Sequence, residues 1–248
     1  YLRIIARLDI KNDQLIKGIN LEGLRKLGDP NNFAKEYYEN GIDEILYMDS
    51  VASLYGRNSL EKILERTVQN VFVPITAGGG IRTVDDARKL LSNGADKIAL
   101  NSAAIKSPKL IKDLANTFGS QSIVLSIEAK NREGYWEAYI NNGRERTNKN
   151  VFDWCLEGID NGAGEILITS IDKEGTFEGF DLDLINQISK KSNVPIVVSG
   201  GMGKVEHVDN ILQNEKIDGI AIASFFHYKK MSVTNLKLEL RKKSNRIR

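Results

Sequence analysis

Two carboxylates stand near the ends of short, branched apolar runs: Asp9 in "RIIARLDI" (3–10) and Glu128 in "SIVLSIEA" (122–129). Runs of this length and composition are buried strands, so each acid lies where a strand runs out. A pair of carboxylates in unlike surroundings is the usual equipment for general acid and base work. Side chains alternate along a strand, so Arg7, Ile5 and Arg3 share the face of Asp9, and Ser126 and Val124 share that of Glu128. An arginine below the two acids would lower their pKa values, whereas burial would raise them. The competing reading is a purely structural Arg7–Glu128 ion pair. Glycines end two further runs, at Gly78, Gly79 and Gly80 and at Gly200 and Gly201, and the next run in each case ends in Asn101 and Ser102 or in Ser224. Backbone amides freed by glycine, with hydroxyl or amide side chains beside them, form anion sites, here two phosphate sites.

These residues are positioned by a regular alternation. Strands are expected at 3–10, 44–49, 73–79, 97–102, 122–129, 165–171, 195–201 and 219–224, with amphipathic segments such as 83–95 and 150–163 between them. Eight strand-helix units in 248 residues predict one α/β domain over 1–248, a (β/α)8 TIM barrel whose active site lies at the strand C-termini. The pattern also repeats at half its length: 43–50 returns at 164–171, 73–87 at 194–208 and 96–103 at 218–225. Half-barrels of approximately 1–120 and 121–240 follow, with Asp9 and Glu128 as counterparts facing each other across the mouth. Strand parity puts Arg3, Glu44, Lys97 and Glu165 inward at the opposite end, where unpaired buried charges would be costly, so a neutral ring closes the base. Such a ring is either a plug or a gate for something small arriving from a docked partner.

Composition adds limits. Thirty-five basic and 33 acidic residues nearly cancel, giving no reason to expect nucleic acid, and the basic end "KLELRKKSNRIR" reads as a solvated, fraying helix terminus. One cysteine, Cys155, excludes an internal disulfide and reads as a packed thiol in a reducing, cytoplasmic setting. No apolar run is long enough to span a membrane. His207 and His227 lack companions at ligand spacing, so no metal is expected, and no dinucleotide fingerprint or other cofactor motif is present. "NREGYWEAYINNGRER" reads as a hairpin over the mouth.

The motifs "ARLDIKNDQLIKG", "LGDP", "GIDEILYMD", "AGGGIRT", "GADKIALNSAA", "FGSQSIV", "GAGEILITSIDKEGT", "SGGMGK" and "FFHY" cover nearly the whole chain. Together they resemble the cyclase subunit of imidazole glycerol phosphate synthase. That resemblance implies a barrel that docks a glutaminase at its base and passes ammonia up its axis. At the mouth the ammonia reacts with a phosphoribulosyl formimino aminoimidazole carboxamide ribonucleotide, a substrate with a phosphate at each end. It implies Asp9 and Glu128 as catalytic carboxylates, Lys17 and the following loop as a lid, and Asp49, Asn101 and Thr169 as mouth residues. It further implies Gly80, Ser102, Gly201 and Ser224 as phosphate binders, and Arg3, Glu44, Lys97 and Glu165 as the ammonia gate.

Three positions depart from the family pattern: Glu128 stands where the family has its second catalytic aspartate, Arg7 replaces a small residue, and Glu174 replaces a usual aspartate. All three belong to the mouth, while the base ring is complete. The departures admit a relative that delivers ammonia to another acceptor, such as a nucleotide sugar amidated in surface-glycan synthesis. They also admit an inactive barrel kept as an activating scaffold for its glutaminase. A single-phosphate isomerase fits less well, because it leaves one glycine site empty.

Overall fold

A computed structural model describes residues 1–52 and 60–247. The first half of the chain gives β1 (Arg3–Lys11), β2 (Gln14–Ile19), β3 (Glu22–Gly28), α1 (Pro30–Glu39), β4 (Glu44–Asp49), α2 (Leu60–Thr67), β5 (Ile75–Gly78), α3 (Val84–Ser92), β6 (Lys97–Leu100), α4 (Ser102–Lys106) and α5 (Lys109–Phe118). The second gives β7 (Ile123–Arg132), β8 (Tyr135–Ile140), β9 (Glu145–Asn150), α6 (Val151–Asp160), β10 (Glu165–Ser170), α7 (Leu182–Lys191), β11 (Ile196–Ser199), α8 (Asp209–Gln213), β12 (Ile217–Ile222), α9 (Ser224–His227) and α10 (Val233–Arg241).

Eight of the strands close on themselves in the order β1, β4, β5, β6, β7, β10, β11, β12 and back to β1, every pairing parallel. The expected (β/α)8 barrel is therefore present, with each of the eight expected strands in its place. Strands buried on both faces explain the unbroken apolar runs: one face meets the helices and the other the axis. The helix-facing residues form one large core, whereas Ile5, Leu46, Met48, Ala99, Val124, Leu167, Val197 and Ala221 form a separate cluster along the axis.

β1 and β7 are four steps apart in either direction round the ring, so Asp9 and Glu128 come from opposite walls. Each of these strands overruns the barrel and turns into an antiparallel hairpin, β2–β3 after β1 and β8–β9 after β7. The second hairpin was expected. The first lies where the sequence reads as a loop, because its residues carry no clean in-out alternation: β3 is exposed or half-exposed throughout.

Helix ends follow local chemistry. Asp29, before Pro30, caps α1 through the Asn31 amide, and Thr83 and Asp86 form a reciprocal capping box at α3. The basic C-terminal tail does not fray as expected. The Arg246 guanidinium donates to the carbonyls of Leu212, Asn214 and Ile217, and Ile247 bridges to Leu2. Three such bonds from one guanidinium outweigh the charge of the segment. Cys155 is buried in α6 as expected, and burial pushes its thiol up to about 12. Among the described residues, no helix is long and apolar enough to cross a membrane, and no cluster of His, Cys, Asp or Glu could hold a metal ion.

Candidate active site

At the barrel base Arg3, Glu44, Lys97 and Glu165 form a closed ring of alternating charge, as strand parity predicts. Arg3 donates to Glu44 (2.8 Å) and Glu165 (2.9 Å), and Lys97 contacts Glu44 (3.0 Å) and Glu165 (3.2 Å). Thr76 Oγ1 donates a further bond to Glu44 Oε1 at 2.7 Å. Above the ring the apolar axial cluster begins, and Arg7 stands two residues above Ile5 on β1, in register with Leu46 of that cluster.

Arg7 is 2% exposed and fixed by its own fork. Its Nε donates to Asp9 Oδ1 at 3.0 Å, and Nη1 reaches across the barrel to Thr169 Oγ1 at 2.8 Å and Ser199 Oγ at 3.2 Å. The sequence admits an Arg7–Glu128 pair; the hydrogen-bonded partner is instead Asp9, on the same strand. Asp9 also lies 3.7 Å from Lys17 Nζ, and Lys17 pairs closely with Glu174. Burial alone would raise the Asp9 pKa, but Arg7 and Lys17 overcome it and hold the carboxyl below the ordinary carboxylate range.

Glu128 differs. Its Oε2 accepts the Gly143 amide at 2.7 Å, yet burial dominates and pushes its pKa up to about 7, with the charge of Asp9 adding to the rise. The competition between burial and charge therefore resolves oppositely at the two acids: one is ionised throughout the neutral range and the other is poised within it.

A cavity of about 280 Å³ opens beside Glu128, lined by Arg7, Asp49, Gly80, Asn101, Ser102 and Glu128 among others. Gly79 and Gly80 both take positive φ, +105° and +72°, which turns the chain out of β5; a side chain at Gly79 would strike the Asp49 carbonyl. Asp49 Oδ1 accepts the amides of Val51 and Ala52, and Ser102 Oγ accepts the Asn141 amide, fastening the β8–β9 hairpin to the rim. Arg82 and Lys106 also border this cavity.

Gly201 and Ser224 lie apart from it, in a crevice of only about 10 Å³ bounded by Glu174 and Gly175. The β2–β3 hairpin is docked here: the Asn20 amide donates to the Glu174 carbonyl at 2.7 Å, and the buried Lys17–Glu174 pair ties the hairpin to the segment after β10. A groove of about 670 Å³ on the other side of that hairpin reaches Ser224 and carries Arg25 and Lys230.

A family model described as "Histidine biosynthesis protein" matches residues 3–232. The imidazole glycerol phosphate synthase subunit HisF of Legionella pneumophila is 59% identical over 206 residues, covering 83% of this chain and 97% of that relative. The chain belongs to the HisF family of histidine-biosynthesis proteins. The HisF of Hydrogenobaculum sp. is 46% identical and that of Natranaerobius thermophilus 43%, each alignment covering 99% of this chain and 98% of the relative.

In this HisF-family barrel the sequence-derived residues separate into three groups: the base ring; Arg7, Asp9, Lys17, Thr169 and Glu174 in one charged network; and Asp49, Gly80, Asn101, Ser102 and Glu128 round the open cavity. Gly201 and Ser224 stand outside all three. Sequence reasoning missed Ser199 and the pairing of His227 with Tyr37. His227 Nδ1 lies 2.6 Å from the Tyr37 hydroxyl, and burial, with Lys17 nearby, drops its pKa to about 4, so it is neutral. The only signal for that pair was the position of "FFHY" directly after β12.

Proposed function

We propose that the chain is the cyclase subunit of an imidazole glycerol phosphate synthase. Ammonia from a glutaminase docked at the base enters through the ring of Arg3, Glu44, Lys97 and Glu165. It rises as the neutral molecule, since the apolar axial cluster offers nothing to replace the hydration of ammonium. At the mouth it meets the phosphoribulosyl formimino substrate. One phosphate of that substrate sits by Gly80 and Ser102, and the other by Gly201 and Ser224 once the β2–β3 hairpin moves aside. Asp9, held ionised, takes a proton from the nitrogen as it adds. Glu128 exchanges protons near neutrality while the imidazole ring closes and the aminoimidazole carboxamide ribonucleotide leaves.

The observation that carries this reading is the inequality of two counterpart carboxylates directly above an apolar axis closed by four charges. It is tested by incubating the chain with ammonium salt at alkaline pH and the formimino substrate, and following the loss of ultraviolet absorbance. Turnover that disappears in Asp9→Asn supports it. A folded wild-type chain that consumes no substrate overturns it. That outcome would favour the second reading, ammonia delivery to a different acceptor such as a nucleotide sugar, to which Arg7 and the buried Lys17–Glu174 pair lend support by changing the charges at the mouth.

A further inference from the structure

Pairing with Asp9 occupies only part of the Arg7 guanidinium. Its Nε and Nη1 are committed to Asp9, Thr169 and Ser199, while Nη2 has no partner among the described residues. The described buried polar atoms that are sealed off without a partner are Asn31 Oδ1, Trp154 Nε1 and His227 Nε2. Arg7 Nη2 is not one of them, so it reaches open space, and the open space that Arg7 borders is the 280 Å³ mouth cavity. A guanidinium held at both Nε and Nη1 cannot turn, so the two N–H groups of Nη2 are fixed in direction, beside the cavity that Glu128 also lines.

We propose that Arg7 is a catalytic residue of this chain, donating from Nη2 to the oxygen of the carbonyl that ammonia attacks. Resting on the cyclase reading, that carbonyl is the ketone of the ribulosyl arm. Ammonia donates its lone pair to the ketone carbon, forming the C–N bond, and the C=O π pair moves onto the oxygen facing Arg7. A proton passes from the nitrogen to Asp9, and the oxygen receives one from Glu128, giving the neutral carbinolamine. Loss of water then leaves the imine, so one ketone and one ammonia become one imine and one water. A donor fixed before the reaction need not reorganise as charge develops on the oxygen. Because three protein bonds already hold the guanidinium, Asp9 and the ligand oxygen do not compete for it.

The test needs no turnover. Without ammonia, the wild-type chain binds the formimino substrate unreacted, and isotope-edited infrared spectroscopy reads its ketone C=O stretch. The proposal expects a stretch shifted to lower frequency than in water, and a return toward the solution value in Arg7→Lys, which keeps a positive charge beside Asp9 but lacks the Nη2 donor. With ammonia, Arg7→Lys should lose about 100-fold in kcat, the scale of losing one such donor. Its pH profile should be unchanged, and guanidinium ion should partly restore Arg7→Ala. Equal C=O stretches in folded wild type and Arg7→Lys, or kcat values within about twofold, a barrier change under about 0.5 kcal/mol, would overturn it and reduce Arg7 to a charge partner. Failure of the wild type to bind the substrate at all would instead remove the cyclase reading, and this assignment with it.

Discussion

Asp9 is stabilised as an anion by Arg7 and Lys17, while Glu128 is pushed toward neutrality by burial, so the two residues should leave opposite marks on the pH dependence of stability. Glu128 binds its proton more tightly when folded, about 7 against an ordinary 4.5. Its contribution is complete below the unfolded value and is lost as pH rises through 7, on the order of 3 kcal/mol. Denaturant titrations at pH 5 and pH 8 should show this fall in the wild type and a smaller one in Glu128→Gln; an unchanged fall would contradict the assignment. Asp9, with its pKa lowered, contributes stability that is fully present above its unfolded value and is lost only below that value, as pH falls through the folded pKa. Lys17→Met strands the buried Glu174 carboxylate, and breaking a buried pair from one side costs about 3–5 kcal/mol. The same titrations measure that loss, and a cost within about 0.5 kcal/mol would show the pair to be dispensable. Both acids were legible in the sequence from their positions at strand ends. Which way each pKa moves was not, because the deciding contacts, such as Gly143 on Glu128, come from segments whose approach only the folded chain sets.

The β2–β3 hairpin is the element on which access to the second glycine turn depends. It is held by the Lys17–Glu174 pair and by close backbone packing at Gly175, whose φ is +76° and whose missing side chain would lie 2.5 Å from the Gly18 carbonyl. Gly175→Ala should therefore displace the hairpin at a cost of about 1–3 kcal/mol. Limited proteolysis should cut within 18–28 faster than in the wild type, and equal rates would show that the packing is loose. The hairpin resembled a loop in sequence because nothing along 22–28 alternates, and its strand character comes from pairing with β1 rather than from its own pattern. By contrast β4, β10 and the other axial strands announced themselves, since burial on both faces demands branched apolar residues at nearly every position.

Across the whole molecule, the two halves share one plan: a long first strand with a hairpin, then strands ending in glycine and in a hydroxyl-bearing helix start. Offsets within the chain exposed this repeat, and strand parity predicted the base ring. Neither could reveal that Arg7 spans the axis to Thr169 and Ser199, more than 160 residues away, because parity gives direction and not reach. If the ring passes ammonia, Lys97→Met should lower glutamine-driven turnover with a docked glutaminase by about tenfold, or roughly 1.4 kcal/mol of barrier, while ammonium-driven turnover holds. Equal losses with both nitrogen sources would make the ring structural only. The most direct measurement of the central claim follows the nitrogen itself: the chain is given ¹⁵N-ammonium and the formimino substrate, and the products are separated and weighed by mass spectrometry. The cyclase reading expects one ¹⁵N in the imidazole glycerol phosphate, and one unlabelled aminoimidazole carboxamide ribonucleotide released for each. Label absent from the imidazole, or substrate left intact by folded chain, would contradict it.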